Sequence, residues 1–535
     1  MDFRLPAWLR PGLVLAVVAC LLVLGTLGRS DLSGSTEPRE AGVAAEMLQS
    51  GDFLMPSLNG EPFLEKPPLS YWLQAASIGA FGYHAWAPRL PSALAGIATV
   101  LLFAFFYRKS EPWRALLSGA LLMTMGAFLE YSQTAGQDML LAFGVSLALL
   151  SFYFTREDDA QALWFGYAAG LAVATLAKGV VGLAVPGVVV FSYLLIESIH
   201  FDRRFTAAKW FTPAFFSLLG LLPIIAWLTA IFVTQGGEPL REVLWANSVG
   251  RFQGNYSGGA HAEPFYFYLK NLPQTFQPWS LLLYIAIWQS VATLKVDRRR
   301  VFFFCWLVAP FVLLSLSAGK RPSYLLMVYP AAAALLADFI ASFAVGASAK
   351  ATQVARWLAA LQATLFSGAL CYVVFRLAQI NLPVAAALSL LLAALPLYFL
   401  WRSVARLRVF DFLAGAVGVL LVGVVAYYGL VTPNDGERQS ARRVMDQLAV
   451  FADAGHPVAL YLPTERMRGA ASFYLQRRVP TLATPEQLRA ARVRQPDLVV
   501  LADDLVRFDP ALFAEQAKVP YGKSVYRYWS GRPTR

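Results

Sequence analysis

The chain has 535 residues, of which 57% are hydrophobic and only 15% are charged. A typical soluble domain carries about 25% charged residues, so a soluble protein of this composition would expose large apolar patches. The net charge of +12 does not indicate a nucleic-acid partner, because the Lys and Arg residues lie in short clusters between long apolar runs. That arrangement is the one that reports membrane topology. The composition therefore excludes an ordinary soluble protein and disfavours a nucleic-acid-binding one.

The long apolar runs predict an α-helical polytopic membrane protein with about thirteen transmembrane helices, since a helix pairs all its backbone groups within its own segment. The first run is preceded by Arg4 and Arg10 and has no convincing small-residue cleavage site, so we interpret it as a retained helix and not as a signal peptide. The runs lie near residues 11–28, 88–107, 113–132, 138–155, 162–178, 180–197, 210–234, 279–294, 301–318, 324–345, 355–377, 382–401 and 409–431.

The charges in the loops predict the topology. Nearly every second loop is basic, and these loops include Arg114, Lys209, Arg299, Arg356 and Arg402. Cytoplasmic loops carry such an excess of cations. The N-terminus is therefore expected in the cytoplasm, and the odd number of spans places the C-terminus outside.

Two of the predicted outer loops are long, at 29–87 and 235–278. The first has helical periodicity from Glu37 to Met47, and we expect short helices that lie on the membrane surface there. Together with the apolar runs, these loops make up a predicted transmembrane domain, residues 1–432, whose outer loops carry the active site.

The composition changes after residue 432. Two short apolar segments, 457–461 and 497–502, predict buried strands, and 437–453 and 484–493 predict amphipathic helices. We therefore expect a small soluble α/β domain over residues 433–535, outside the membrane. It contains no catalytic motif, and we expect it to assist acceptor binding or packing.

Charged residues are concentrated on the predicted outer face, where they are costly and commonly functional. A cation at this level suits a lipid-linked phosphate, and a nearby carboxylate can deprotonate an acceptor. Purely structural roles remain open, such as helix capping for Asp138 and snorkelling for Lys178. The cations are Lys66, Lys178, Arg251, Lys320 and Arg321, and the carboxylates include Glu37, Glu65 and Asp138.

Several of these residues lie in motifs that resemble the bacterial aminoarabinose transferase family, within the wider group of protein mannosyltransferase-like, lipid-dependent GT-C glycosyltransferases. The similarity covers most of the membrane region. It is carried by the segments 36–41, 46–48, 51–52, 59–60, 65–69 (Glu-Lys-Pro-Pro-Leu), 71–72, 89–92, 138–139, 251–252, 261–268, 278–279 and 320–324.

The resemblance implies an inverting enzyme that takes a sugar from undecaprenyl phosphate or a similar polyprenyl phosphate on the periplasmic face. The acceptor would be lipid A, another glycan or a protein. Lys66, Arg251 and Tyr324 would contact the lipid phosphate, with Lys320 nearby. Asp138 and a carboxylate of the first loop would line the catalytic cavity, and Arg39 would orient that carboxylate.

The chain departs from the family at its first motif. The family usually has Asp-Glu where this chain has Thr36-Glu37. Either Glu37 serves as the base or the mechanism differs. Some family members bind a divalent cation at this loop, and Glu65 and His261 are the candidate ligands here, although two residues are a weak metal signal.

Two other classes of function remain open. A transporter or flippase of lipid-linked glycans would show broken helices and charges at mid-membrane, often with internal repeats. No repeat is evident, and the notable charges lie at one face. A glycan ligase could present a similar outer face, so the sequence pattern separates it poorly from a glycosyltransferase.

Overall fold

The computed structural model describes residues 10–107, 111–202, 206–250, 263–293, 297–342, 349–436, 440–509, 512–522 and 524–531. Each of the thirteen predicted apolar runs contains a helix. The N-terminal helices are α1 (Pro11–Leu24), α2 (Glu37–Ser50), α3 (Leu69–Phe81), α4 (Leu90–Tyr107), α5 (Pro112–Met123), α6 (Gly126–Ser132), α7 (Asp138–Glu157), α8 (Leu163–Lys178), α9 (Val180–Ile196), α10 (Ala207–Gln235) and α11 (Gly237–Arg241).

The remaining helices complete the membrane region. They are α12 (Phe267–Thr275), α13 (Ser280–Thr293), α14 (Arg298–Leu316), α15 (Tyr329–Ser342), α16 (Ala349–Gln379), α17 (Pro383–Arg406), α18 (Val409–Ala426) and α19 (Thr432–Gly436). A 3-10 helix over Pro322–Val328 leads into α15, and wide π-type turns extend α9 over Glu197–Phe201, α11 over Glu242–Gly250 and α18 over Tyr427–Val431.

The multi-pass architecture is confirmed. Among the described residues, nine helical segments are long and apolar enough to cross a bilayer, and a tenth is counted if α5 and α6 are taken as one span bent by 76°. α1, α8 and α13 are apolar but have only 14, 16 and 14 residues, fewer than the roughly 20 that span a hydrocarbon core. The number thirteen therefore stays a prediction.

Basic residues of loops that were predicted to share the cytoplasmic side pair with acids at the same end of the helices. Arg114 pairs with Asp338 at 2.8 Å, and Arg299 lies 3.4 Å from the same carboxylate. Arg298 pairs with Asp202 at 2.7 Å. This end of the molecule is therefore tied together by ion pairs, which compensate the cost of desolvating its charges.

The C-terminal region is an α/β unit. Both predicted strands are present, as β3 (Val458–Tyr461) and β5 (Val499–Asp503), and both predicted helices, as α20 (Ala441–Asp453) and α22 (Pro485–Arg494). The sequence analysis missed a helix, α21 (Glu465–Tyr474), a short strand, β4 (Thr481–Leu482), and a hairpin of β6 (Phe513–Tyr521) and β7 (Ser524–Gly531). The sheet order is β4-β3-β5-β7-β6, in which β3 is parallel to β4 and β5, and β7 is antiparallel to β5 and β6.

Helix α2 lies between the membrane region and this C-terminal unit. We expected a helix on the membrane surface, but α2 is enclosed by protein, buried from Glu37 to Met47, and packed on α3 and α21. Gly42 and Gly469 allow this, because their backbones touch where the helices cross. Phe473 of α21 is fully buried in the same apolar cluster as Tyr71 of α3. The two regions therefore share a core around α2.

The Gly42 contact gives a test of this packing. A Gly42→Ala substitution should destabilise the protein by about 1–3 kcal/mol, because the added Cβ would collide with the backbone of Gly469. We expect a lower melting temperature for the purified protein in detergent. The control is Gly187→Ala in α9, whose Cβ would meet nothing within 4 Å, and which should be neutral or slightly stabilising. Equal melting temperatures for the two variants would contradict the α2–α21 contact.

Candidate active site

The first turn of α2 carries the acidic residues of the first long loop. Glu37 and Glu40 both lie in this turn, where the helix dipole favours carboxylates. Gly51 ends the helix in the left-handed conformation with a φ of 71°, and its N–H donates to the Met47 carbonyl. The chain then returns through a short hairpin of β1 (Ser57–Leu58) and β2 (Glu61–Pro62) towards Lys66.

Glu37, the predicted base, is fully engaged elsewhere. Arg89 Nε donates to Glu37 Oε1 and Arg89 Nη2 to Oε2, both at 2.7 Å. The backbone N–H groups of Ser33 and Ala135 each donate to this carboxylate at 3.0 Å. The Glu37 side chain is 6% exposed. Both of its oxygens are therefore occupied by the protein itself, an arrangement that suits a structural pair better than a free base.

Arg39 holds a different carboxylate. Its Nη2 donates to Glu40 Oε1 at 2.9 Å, and its Nη1 lies 3.2 Å from Glu65 Oε2 and 3.0 Å from Glu465 Oε2. Arg39 was expected to orient a first-loop carboxylate, and in the structure it contacts two, Glu40 and Glu65. Glu40 is completely buried, and its Oε2 has no hydrogen-bond partner among the described residues.

Lys66 lies beside Arg39 and Glu65, in the connecting segment between β2 and α3 (residues 63–68). Its side chain is 11% exposed, and its ammonium donates to the Glu65 carbonyl at 3.2 Å and lies 3.8 Å from Glu65 Oε1. Burial lowers the pKa of Lys66 to about 8, against the opposing effect of Tyr324 and with a further lowering by Lys178. Pro67 and Pro68 follow directly, and their fixed φ values limit where Lys66 points before α3 begins.

Asp138 and Lys178 form an ion pair near Lys66. Asp138 begins α7 and Lys178 ends α8, and the two side chains are 21% and 7% exposed. The Lys178 ammonium also lies 4.0 Å from the centre of the Tyr324 ring. The turn at Gly179, with a φ of 62°, approaches Pro67. These contacts bring Asp138, Lys178 and Tyr324 to the same place as Lys66.

The structure therefore gathers most of the predicted site residues, and among those described the exceptions are Glu37, which is held by Arg89, and Lys320. Lys66, Tyr324, Asp138, Arg39 and Glu65 form one charged cluster. Lys320 is engaged elsewhere: its ammonium donates to the backbone carbonyls of Glu263 (2.8 Å) and Ser317, and burial lowers its pKa. Lys320 braces the turn before α15, because two carbonyl acceptors already hold its ammonium.

Two predicted residues, Arg251 and His261, lie outside the described part of the chain. The metal site predicted at Glu65 and His261 therefore stays a prediction. In the described ranges no group of three His, Cys, Asp or Glu side chains is arranged to hold a metal ion. Glu65 itself faces two cations, Arg39 and Lys66. This environment compensates the charge of the carboxylate without a metal.

Three features of the cluster were not predicted. The first is that Arg39 binds Glu40. The second is that Asp138 pairs with Lys178, although these two residues are 40 positions apart in the sequence. Glu465 was not identified at all. It begins a helix of the C-terminal unit, and nothing in its local sequence indicates a partner more than 400 residues away.

Comparison with known proteins agrees with the resemblance. Residues 65–227 match the family described as dolichyl-phosphate-mannose-protein mannosyltransferase. The chain is 30% identical over 336 residues to the undecaprenyl phosphate-alpha-4-amino-4-deoxy-L-arabinose arabinosyl transferase of Pseudomonas savastanoi pv. phaseolicola, covering 62% of this chain and 61% of the relative. The corresponding protein of Aeromonas salmonicida is 27% identical over 63% of this chain and 61% of its own length. The matches thus span about three fifths of these relatives.

The fold comparison extends over nearly the whole chain. The crystal structure of ArnT from Cupriavidus metallidurans bound to undecaprenyl phosphate superimposes with a TM-score of 0.73 over 96% of this chain and 97% of that one, at 20% identity. The apo structure of the same protein gives the same values. The GT-C fold, with its C-terminal domain, is therefore confirmed, as is the resemblance to the aminoarabinose transferases.

The Glu37–Arg89 pair predicts a stability effect. Glu37→Gln should destabilise the protein by about 3–5 kcal/mol, because it leaves a buried guanidinium without its counter-charge. Thermal unfolding in detergent measures the change. The matched control is Glu61→Gln on β2, where Glu61 is exposed. The free energy of unfolding of this variant should lie within about 0.5 kcal/mol of that of the unmodified protein. A stable Glu37→Gln variant would return Glu37 to the candidate bases.

Proposed function

We propose that this multi-pass membrane protein, which has the fold of the aminoarabinose transferases and resembles them in sequence, is an inverting glycosyltransferase that uses a polyprenyl phosphate-linked sugar as donor. The donor lipid would be undecaprenyl phosphate or a close analogue. The acceptor would be a glycolipid such as lipid A, another glycan or a protein, and the enzyme would act at the periplasmic face of the inner membrane. The N-terminus would lie in the cytoplasm and the C-terminus in the periplasm.

The observation that carries this proposal is the buried Lys66 beside Tyr324 and the Asp138–Lys178 pair. Two ammonium groups lie there in a setting poor in water, where their attraction for a phosphate is stronger than in bulk solvent. The undecaprenyl phosphate bound to the Cupriavidus protein is the kind of ligand that such a site would hold. Lys66 and Tyr324 would contact the donor phosphate, together with Arg251.

The carboxylates supply the second half of the reaction. A carboxylate accepts the proton of the acceptor hydroxyl or amine while the acceptor oxygen or nitrogen bonds to the anomeric carbon. The bond from that carbon to the phosphate oxygen breaks, and the lipid phosphate leaves with the electron pair, stabilised by Lys66. Attack opposite to the leaving phosphate inverts the anomeric carbon.

We assign the first-loop carboxylate to Glu40, with Asp138 as the second acid of the cavity. Glu40 lies one helical turn after Thr36, the position where the family usually has Asp, and the Glu40 N–H donates to the Thr36 carbonyl at 2.9 Å. Arg39 holds one oxygen of Glu40, which leaves Oε2. Glu37 is the candidate that the sequence favours, but Arg89 and two backbone N–H groups hold its carboxylate.

A transporter or flippase is less well supported. Among the described residues, the ion-pair clusters lie at the two ends of the helices, whereas a transporter is expected to place its charged residues near mid-membrane. A ligase of lipid-linked glycans remains the nearer alternative. Mass spectrometry of cell-envelope glycolipids with and without the protein separates the two, because a transferase adds one sugar to its acceptor and a ligase adds a preassembled glycan.

Turnover of the purified protein tests the residue roles. With a polyprenyl-linked sugar as donor, Lys66→Ala should raise the donor KM about 10- to 100-fold, because it removes a charge-assisted hydrogen bond. Glu40→Gln should lower kcat about 10²- to 10⁴-fold if Glu40 is the base, and Asp138→Asn is measured beside it. The control is Lys518→Ala on the edge strand of the C-terminal sheet. Unchanged turnover in both Lys66→Ala and Glu40→Gln would overturn the site assignment.

The pKa of Lys66 predicts a pH dependence. At pH 7 an ammonium with a pKa of about 8 is mostly charged, and it loses its proton as the pH rises through 8. Undecaprenyl phosphate, whose second ionisation is largely complete by about pH 7.5, should therefore bind about tenfold more weakly at pH 9 than at pH 7. Lys66→Arg keeps its charge at both pH values and should show a flat profile. A flat profile in the unmodified protein would contradict the role of Lys66.

A further inference from the structure

Arg39 is contacted by carboxylates from three separate parts of the chain. Glu40 belongs to α2, Glu65 to the connecting segment after β2, and Glu465 to α21 of the C-terminal unit, at distances of 2.9, 3.2 and 3.0 Å. Glu465 is 48% exposed, whereas Glu40 and Glu65 are only 0% and 13% exposed. The C-terminal unit therefore reaches the charged cluster through one partly exposed side chain.

The position of Glu465 is fixed by the helix that carries it. Glu465 begins α21, and Gly469, one turn later, touches the backbone of Pro38 and Arg39. Such a close approach leaves the two helices little freedom to slide, since any Cβ at Gly469 would collide with Pro38. The carboxylate of Glu465 is thus held directly against Arg39.

The hairpin of β1 and β2, which precedes the connecting segment, is attached to the same unit. Asn59 and Val479 exchange two hydrogen bonds, from Asn59 Nδ2 to the Val479 carbonyl at 2.8 Å and from the Val479 N–H to Asn59 Oδ1 at 3.2 Å. Ser472 Oγ donates to Glu46 Oε1 at 2.6 Å, and the other oxygen of Glu46 accepts from the Gly60 N–H at 2.9 Å. The hairpin that leads to Lys66 therefore takes its position from the C-terminal unit, directly at Asn59 and through Glu46 at Gly60.

We propose that the C-terminal domain is a working part of the donor site, in which Glu465 is a positioning residue that acts through Arg39 and Glu65 on Lys66. This inference rests on the proposed function. Glu465 fixes the guanidinium of Arg39, Arg39 fixes the Glu65 carboxylate, and Glu65 holds the Lys66 ammonium. Loss of the Glu465 charge allows Arg39 to shift towards its two remaining partners, which moves Lys66 away from the phosphate without unfolding either domain.

The test measures undecaprenyl phosphate binding and sugar transfer in the full-length protein. Glu465→Gln should weaken binding and raise the donor KM by about fivefold, with kcat within about twofold and an unchanged melting temperature. Glu465→Asp, which keeps the charge, should recover part of this loss. The matched control is Glu515→Gln, which breaks a similarly exposed pair with Arg527 inside the C-terminal sheet and should bind like the unmodified protein.

A double variant separates positioning from a general effect. In an Arg39→Gln background, which has no charge for Glu465 to pair with, Glu465→Gln should weaken binding no further. Additive losses in the two backgrounds, or normal binding by Glu465→Gln, would overturn the inference. If the unmodified protein neither binds undecaprenyl phosphate nor transfers a sugar, the proposed function fails instead, and that result is recognised before any variant is made.

Discussion

Buried charge at the membrane edge must be neutralised by neighbouring charge, and the end of this molecule that carries α2 and the C-terminal unit is organised around that requirement. The side chain of Arg39 is 10% exposed and is compensated by Glu40, Glu65 and Glu465. Lys66 is less well compensated, because the nearest carboxylate that pairs with it among the described residues, Glu65, is 3.8 Å away and already faces Arg39. The protein therefore leaves at Lys66 an incompletely compensated cation, which is what an anionic ligand needs.

The sequence was sufficient for the features that depend on local composition. Each of the thirteen apolar runs contains a helix in the structure, because hydrophobicity over about 20 residues decides insertion into lipid. They did not decide the number of spans, since α5 and α6 bend by 76° and α1, α8 and α13 are short. Strands β3 and β5 were found by their apolar runs, whereas β6 and β7 each have only two fully buried positions and were missed.

The site was predictable where a motif marks it and not where distant segments meet. Lys66, Asp138 and Tyr324 were found by resemblance, and the structure brings them together. The partner of each charge was not predictable, because Arg89 and Glu37 are 52 residues apart and Arg39 and Glu465 are 426 apart. Glu37 was chosen as the base because it is adjacent to the altered Thr36. The bidentate pair of Glu37 with Arg89 shows that adjacent residues of one helix point towards different partners.

The altered first motif then has a physical explanation. Residues four apart on a helix lie on the same face, so a carboxylate at position 40 approaches the region that a side chain at position 36 faces, while one at position 37 is turned about 100° away. Glu37, one residue after Thr36, pairs with Arg89. Glu40, one full turn after Thr36, lies near Arg39, Tyr71 and Lys66. In the proposed assignment, Glu40 and not Glu37 therefore replaces the acid that the family usually has at the position of Thr36, and Arg39 is the cation that holds this carboxylate in the protein interior.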